Sequence, residues 1–160
     1  MLHLMVECRV ANILANLKDP SYTPTKVVDL FTKNGFLNQC DPNDPLNKSG
    51  TNIPQDIKIL NDEGLQTRQP EYFGNKPTDY TINHLKPSFD AGWTSVMALE
   101  FTYPDNKVDN HLVWITNIDK NNNVWILDSG HGKSGKPINL NQLNPSPKLI
   151  EGFLVKKKLN

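Results

Sequence analysis

Apolar residues change their spacing partway along the chain, from helical to extended. Val6, Val10, Ile13, Leu14 and Leu17 recur at three- and four-residue intervals, the mark of one face of a helix. Lys18-Asp19-Pro20 stops that helix, since proline cannot continue it. A second helix starts at Pro24, capped by Thr23 or Thr25. Its stripe is Val27, Val28, Leu30 and Phe31, and it ends at Asn34-Gly35. Asn38 to Asn52 is rich in Asn, Asp, Pro, Ser and Gly and reads as a long surface loop. Pro54 to Asp62 predicts a short helix closed by Gly64, and Leu65 to Arg68 a short strand. Gln69 to Pro77 reads as a loop, and Thr81 to Asp90 as a helix with Pro87 inside it and Gly92 at its end.

From Trp93 the pattern becomes extended. Trp93 to Tyr103, His111 to Ile118 and Val124 to Leu127 predict three strands, the last two forming a hairpin around the polar Asp119 to Asn123 turn. Val96, Val113, Trp114 and Ile126 are expected core residues. Trp93 and Trp125 are placed either in the core or along the wall of a groove. Ser129 to Pro137 holds three glycines and reads as a loop. Leu140 to Leu143 reads as one helical turn, Phe153 to Val155 as a last strand, and Lys156-Lys157-Lys158 as a solvated tail. Helices followed by antiparallel strands give an α+β class, here in one domain over residues 1–160 without internal repeat or linker.

Composition narrows the function classes. The 17 basic and 17 acidic residues cancel, which leaves no electrostatic footprint for nucleic acid or an anionic membrane. No stretch approaches the ~20 apolar residues of a membrane span. Met1 to Val6 lacks the basic start of a signal peptide, so a cytoplasmic location or carriage in a larger assembly is expected. Two cysteines, Cys8 and Cys40, do not make a disulfide framework. No phosphate-binding glycine pattern or zinc-type cysteine pairing occurs, and no cofactor is implied.

The candidate chemistry is Cys8, His111 and Asp128 in that order. Cys8 near the start of the first helix would have its thiol pKa lowered by the macrodipole and free backbone N–H groups. A buried free cysteine is, however, most often a small hydrophobe. His111 stands where Asp109-Asn110 gives way to Leu112-Val113-Trp114-Ile115, so it is expected at the mouth of a buried strand, where a general base is rigidly held. Asp128 ends the paired strand and could orient the imidazole; otherwise it merely begins a turn. A metal site from His111, Asp128 and His131 is disfavoured by the flexible glycine-rich spacing. His3 and His84 have no nameable partners. Cys40 sits in a polar loop and reads as incidental.

Several segments together resemble the papain-like cysteine peptidases related to the bacteriocin leader-processing (double-glycine) peptidases. They are Cys8-Arg9-Val10, Lys18-Asp19-Pro20-Ser21-Tyr22-Thr23-Pro24 and Phe31-Thr32-Lys33-Asn34-Gly35-Phe36, followed by Asp90-Ala91-Gly92, Asn110-His111-Leu112-Val113-Trp114-Ile115 and Trp125-Ile126-Leu127-Asp128-Ser129-Gly130. The resemblance implies a papain-like fold, N-terminal helices packed on a C-terminal antiparallel sheet, and a bacterial or phage setting. It implies Cys8 as nucleophile, His111 as base and Asp128 as orienting acid, acting on a peptide or peptidoglycan-peptide bond. Two departures stand out. No Gln precedes Cys8, and Glu7 occupies the position where the family tends to place Gly. The alternatives are an inactive papain-like binding or assembly module and a phage-delivered or exported cell-wall endopeptidase.

Overall fold

The structure is a computed structural model that describes residues 2–36, 53–127 and 136–158, with side chains from Arg9 onward in the first helix. It is mixed helix and antiparallel sheet, as the change of spacing predicts. The chain divides into two compact units, one within Met1–Thr67 and one made of Arg68–Leu127 with Pro137–Lys156. The Asn38 to Asn52 loop, Cys40 and most of the Ser129 to Pro137 loop lie outside the described residues.

The first unit is helical. α1 spans Leu2–Leu17, α2 Pro24–Lys33 and α3 Ile53–Asp62, with β1 at Leu65–Thr67. Thr23 caps α2, its hydroxyl accepting from the Lys26 N–H at 3.2 Å, while Pro24 takes a first-turn position where no N–H is needed. Val10, Ile13 and Leu14 of α1, Val27 and Phe31 of α2, and Ile59 and Leu60 of α3 are fully buried or nearly so. Each such side chain contributes roughly 1.5–3 kcal/mol by leaving water. A buried ion pair crosses this core: Arg9 on α1 donates from Nε and Nη2 to Oδ2 of Asp56 on α3, at 3.1 and 2.7 Å. Tyr22 donates its hydroxyl to Glu63 at 2.7 Å, and Lys18 donates to the Glu63 carbonyl, which ties both ends of the helix-to-helix connection to the end of α3.

The second unit is a sheet with one covering helix. β2 (Glu71–Tyr72) pairs with β7 (Lys148–Lys157), which pairs with β3 (Thr94–Thr102). Beyond β3 come β4 (Val108–Ile118), β5 (Val124–Leu127) and β6 (Ile138–Asn139), every pairing antiparallel. α4 (Thr78–Asp90) lays Ile82 and Leu85 on Met97, Leu99, Val113, Ile115 and Leu149. Val96, Trp114, Phe153 and Val155 point to the other face and are buried too. Trp114 donates its indole N–H to the Thr94 hydroxyl at 2.9 Å, and Thr94 donates onward to the Val155 carbonyl at 3.1 Å.

Several elements run further than their patterns suggest. β4 begins at Val108 instead of His111, β7 covers Lys148–Lys157 instead of three residues, and α4 starts at Thr78. Lys156 and Lys157 are therefore strand residues, not tail. β2 falls within a stretch expected to be loop, because its pairing to β7 is a long-range contact that two polar-flanked residues cannot announce. Pro87 sits in the last turn of α4. The N–H it lacks would have bonded the carbonyl of Asn83, an exposed residue whose carbonyl water can satisfy.

The β4–β5 ladder contains one irregularity. Ile115 pairs with Ile126 and Asn117 with Trp125, leaving Thr116 as an extra residue. Its hydroxyl donates to the Trp125 carbonyl at 3.2 Å. A bulge of this kind shifts side-chain alternation by one. Val113, Ile115 and Ile118 on β4 thus all join the core with Val124 and Ile126 on β5.

Candidate functional site

α1 begins at Leu2, so Cys8 stands beyond the first turn, with a full turn of helix before it. The free N–H groups and positive dipole end belong to the first turn. The first turn, where that help to a Cys8 thiolate was expected, therefore lies before Cys8 and not at it. The side chain of Cys8 lies outside the described residues, as do Asp128 and His131.

His111 lies on β4, the fourth residue of the strand and not its first. Its cross-strand partner is Leu99. Strict alternation from Val113 and Ile115 puts His111 on the face that α4 covers further along. Leu99 is fully buried, whereas His111 is exposed. The imidazole therefore stands on a two-stranded base at the margin of the core, on the solvent side. The described part of β5 ends at Leu127, opposite Trp114, so β5 runs toward the His111 end of β4 as the hairpin pattern predicts.

The β4–β5 turn is tied by one carboxylate. Asp119 accepts from the N–H groups of Asn121 and Asn123, at 2.9 and 3.0 Å, and from the Asn123 amide and the Trp125 indole. Partial burial raises the Asp119 pKa, but these donors outweigh it and hold the group below its ordinary value. Asn123 accepts from Asn139, and Lys86 of α4 donates to Asn122 at 2.7 Å. The asparagine run thus fastens turn, β6 and helix together.

Two further arrangements were not visible in the sequence. His84 on α4 has a partner after all: its Nε2 is 3.0 Å from a Glu71 carboxylate oxygen, and its ring stacks on Tyr80. Neither spacing nor pattern announces that pair, because Glu71 belongs to the unexpected β2. Trp93 is buried, and the Arg68 guanidinium and Lys156 ammonium lie 4.5 and 4.6 Å from its ring centroid. Trp125 is half-buried and bonded to Asp119, which accounts for it without a groove.

Among the described residues no group of three or more His, Cys, Asp and Glu side chains could hold a metal ion. No helix among them is long and apolar enough to cross a membrane. No protein-family model, curated protein or solved structure matches the chain.

Proposed function

We propose that the chain is a papain-like cysteine peptidase acting on a peptide or peptide-like amide. In this reading the Cys8 thiolate attacks the carbonyl carbon and a C–S bond forms. His111, carrying the thiol proton, delivers it to the leaving nitrogen as the C–N bond breaks. His111 then takes a proton from water, the resulting hydroxide attacks the thioester, and Cys8 is released. Asp128 orients the imidazole. The observation that carries the reading is the mounting of His111: exposed, on a paired strand, with β5 running antiparallel toward its end of β4 and leading into Asp128.

The second reading is a papain-like module without activity, used for binding or assembly. The Leu2 start of α1 favours it, since it denies Cys8 the helix end that would activate the thiol. Glu7 beside Cys8 acts in the same direction.

The two are separated by the pH profile of Cys8 alkylation, measured in a Cys40→Ser background with and without His111→Ala. A His111-activated thiol reacts on a plateau well below the ~8.5 of a free cysteine, and His111→Ala removes that plateau. Superimposable profiles eliminate the peptidase and leave the module.

A further inference from the structure

Arg68 and Lys156 bring two positive charges to one buried indole. Both lie within 4.6 Å of the Trp93 centroid, which puts them no more than about 9 Å apart, inside the ~10 Å screening length of 0.1 M salt. Trp93 is 3 % exposed and packs in the core under α4, so it is a fixed platform. The Arg68 N–H bonds the Leu154 carbonyl at 3.0 Å. Lys156 follows two residues later on the same face of β7. The backbone therefore fixes the origin of both side chains, and the ring fixes their course.

Among the described residues neither cation has a carboxylate partner. Among the described residues the ion pairs are Arg9 with Asp56, Lys58 with Asp62, His84 with Glu71 and Lys107 with Asp105; Arg68 and Lys156 take part in none. Attraction to the indole offsets part of their mutual repulsion but supplies no counter-charge. Arg68 is exposed and Lys156 half-buried. Holding two like charges in place without a counter-charge costs stability unless an anion completes the arrangement.

We propose that Arg68 and Lys156, seated on Trp93, form a binding site for a phosphate group. A phosphate monoester carries close to two negative charges at pH 7 and offers three acceptor oxygens, matching two cations and their several donors. A carboxylate would leave one cation uncompensated. The site is independent of Cys8 and His111, and its test does not depend on peptidase activity.

The test is a titration of the full chain with inorganic phosphate and with glycerol 3-phosphate, at constant ionic strength set by chloride. The Trp93 indole resonance, one of only three in the chain, is followed by NMR. Saturable movement of that resonance is expected, with Arg68→Gln and Lys156→Gln each weakening binding about tenfold, the loss of one charge-assisted contact. Arg68→Lys keeps the charge and should retain most of the affinity, which separates loss of charge from loss of packing on the ring. Tighter binding of the ester assigns the site to phosphorylated small molecules, and tighter binding of the inorganic ion assigns it to free phosphate. A linear response that chloride reproduces, or affinity unchanged in both Gln variants, overturns the proposal.

Discussion

Trp125 donates its indole N–H to a carboxylate oxygen of Asp119 at 3.2 Å, across the turn that joins β4 to β5. The same carboxylate holds the N–H groups of Asn121 and Asn123, so one side chain closes the turn and fixes the first tryptophan after it. Its pKa lies below the ordinary 3.8 in the folded protein. A depressed carboxylate stabilises the fold above the unfolded value, and that contribution is lost as pH falls through the folded value. Titration from pH 6 down past pH 3 should weaken the turn late, with the Trp125 indole proton exchanging faster only at the acid end. Asp119→Ala should show fast exchange at every pH; protection equal to wild type would show that the turn closes without the carboxylate.

Gly152 faces Met97 on the neighbouring strand, and a Cβ there would come 2.6 Å from the Val96 carbonyl oxygen and 2.8 Å from the Met97 methyl. The methyl can swing aside; the carbonyl belongs to a paired strand and cannot. Gly152→Ala should cost about 1–3 kcal/mol by overpacking. Denaturant unfolding reads the loss directly, and a variant as stable as wild type would mean that β7 relaxes away from β3 at no cost.

The Arg9–Asp56 pair sits in the helical core with almost no solvent access. Burial raises the Asp56 pKa, and the guanidinium opposes that rise only in part. With the folded value raised, this group makes stability fall as pH climbs from the unfolded to the folded value. Arg9→Met or Asp56→Leu alone strands a charge and should cost about 3–5 kcal/mol, while the double variant should recover most of it. Additive losses in the double-mutant cycle would count against a strong coupling.

His111 is exposed on β4, and the strand around it is held by main-chain pairing to β3. His111→Ala should therefore leave the β3–β4 pairing and a single cooperative unfolding transition in place. Thermal unfolding beside the alkylation profile checks this. Loss of that transition would show that His111 holds the fold together, and a changed thiol profile could then no longer be assigned to proton transfer.

What could be read ahead depended on the range of the interactions. Val96, Val113, Trp114 and Ile126 announce themselves by alternation, and all four are buried. The Thr23 cap and the Asn34-Gly35 stop are local chemistry and were equally plain. β2, the early start of β4 and the full length of β7 were hidden, because polar strand residues such as Asp109 or Lys148 are held by partners far off in sequence. α1 was harder still: apart from His3, Leu2 to Val6 is apolar and carries no capping residue, so nothing local marked where the helix begins, and the placement of Cys8 at its start failed for that reason. His111 was singled out correctly as a residue on a paired strand, yet Glu71 with His84 and Arg68 with Lys156 were not, since each joins elements whose meeting no period encodes.

Thr116 gives the β4–β5 hairpin two reading frames. Before it, odd-numbered positions of β4 face α4; after it, even-numbered ones do. Removing this one residue would leave Ile115, Asn117 and Ile118 in unbroken alternation opposite the same partners, Ile126, Trp125 and Val124. Ile118 would still face the core, and the bond from the Thr116 hydroxyl to the Trp125 carbonyl would go. The extra residue is therefore an insertion that the core absorbs, and a related hairpin can carry it or lack it with the same side chains inside.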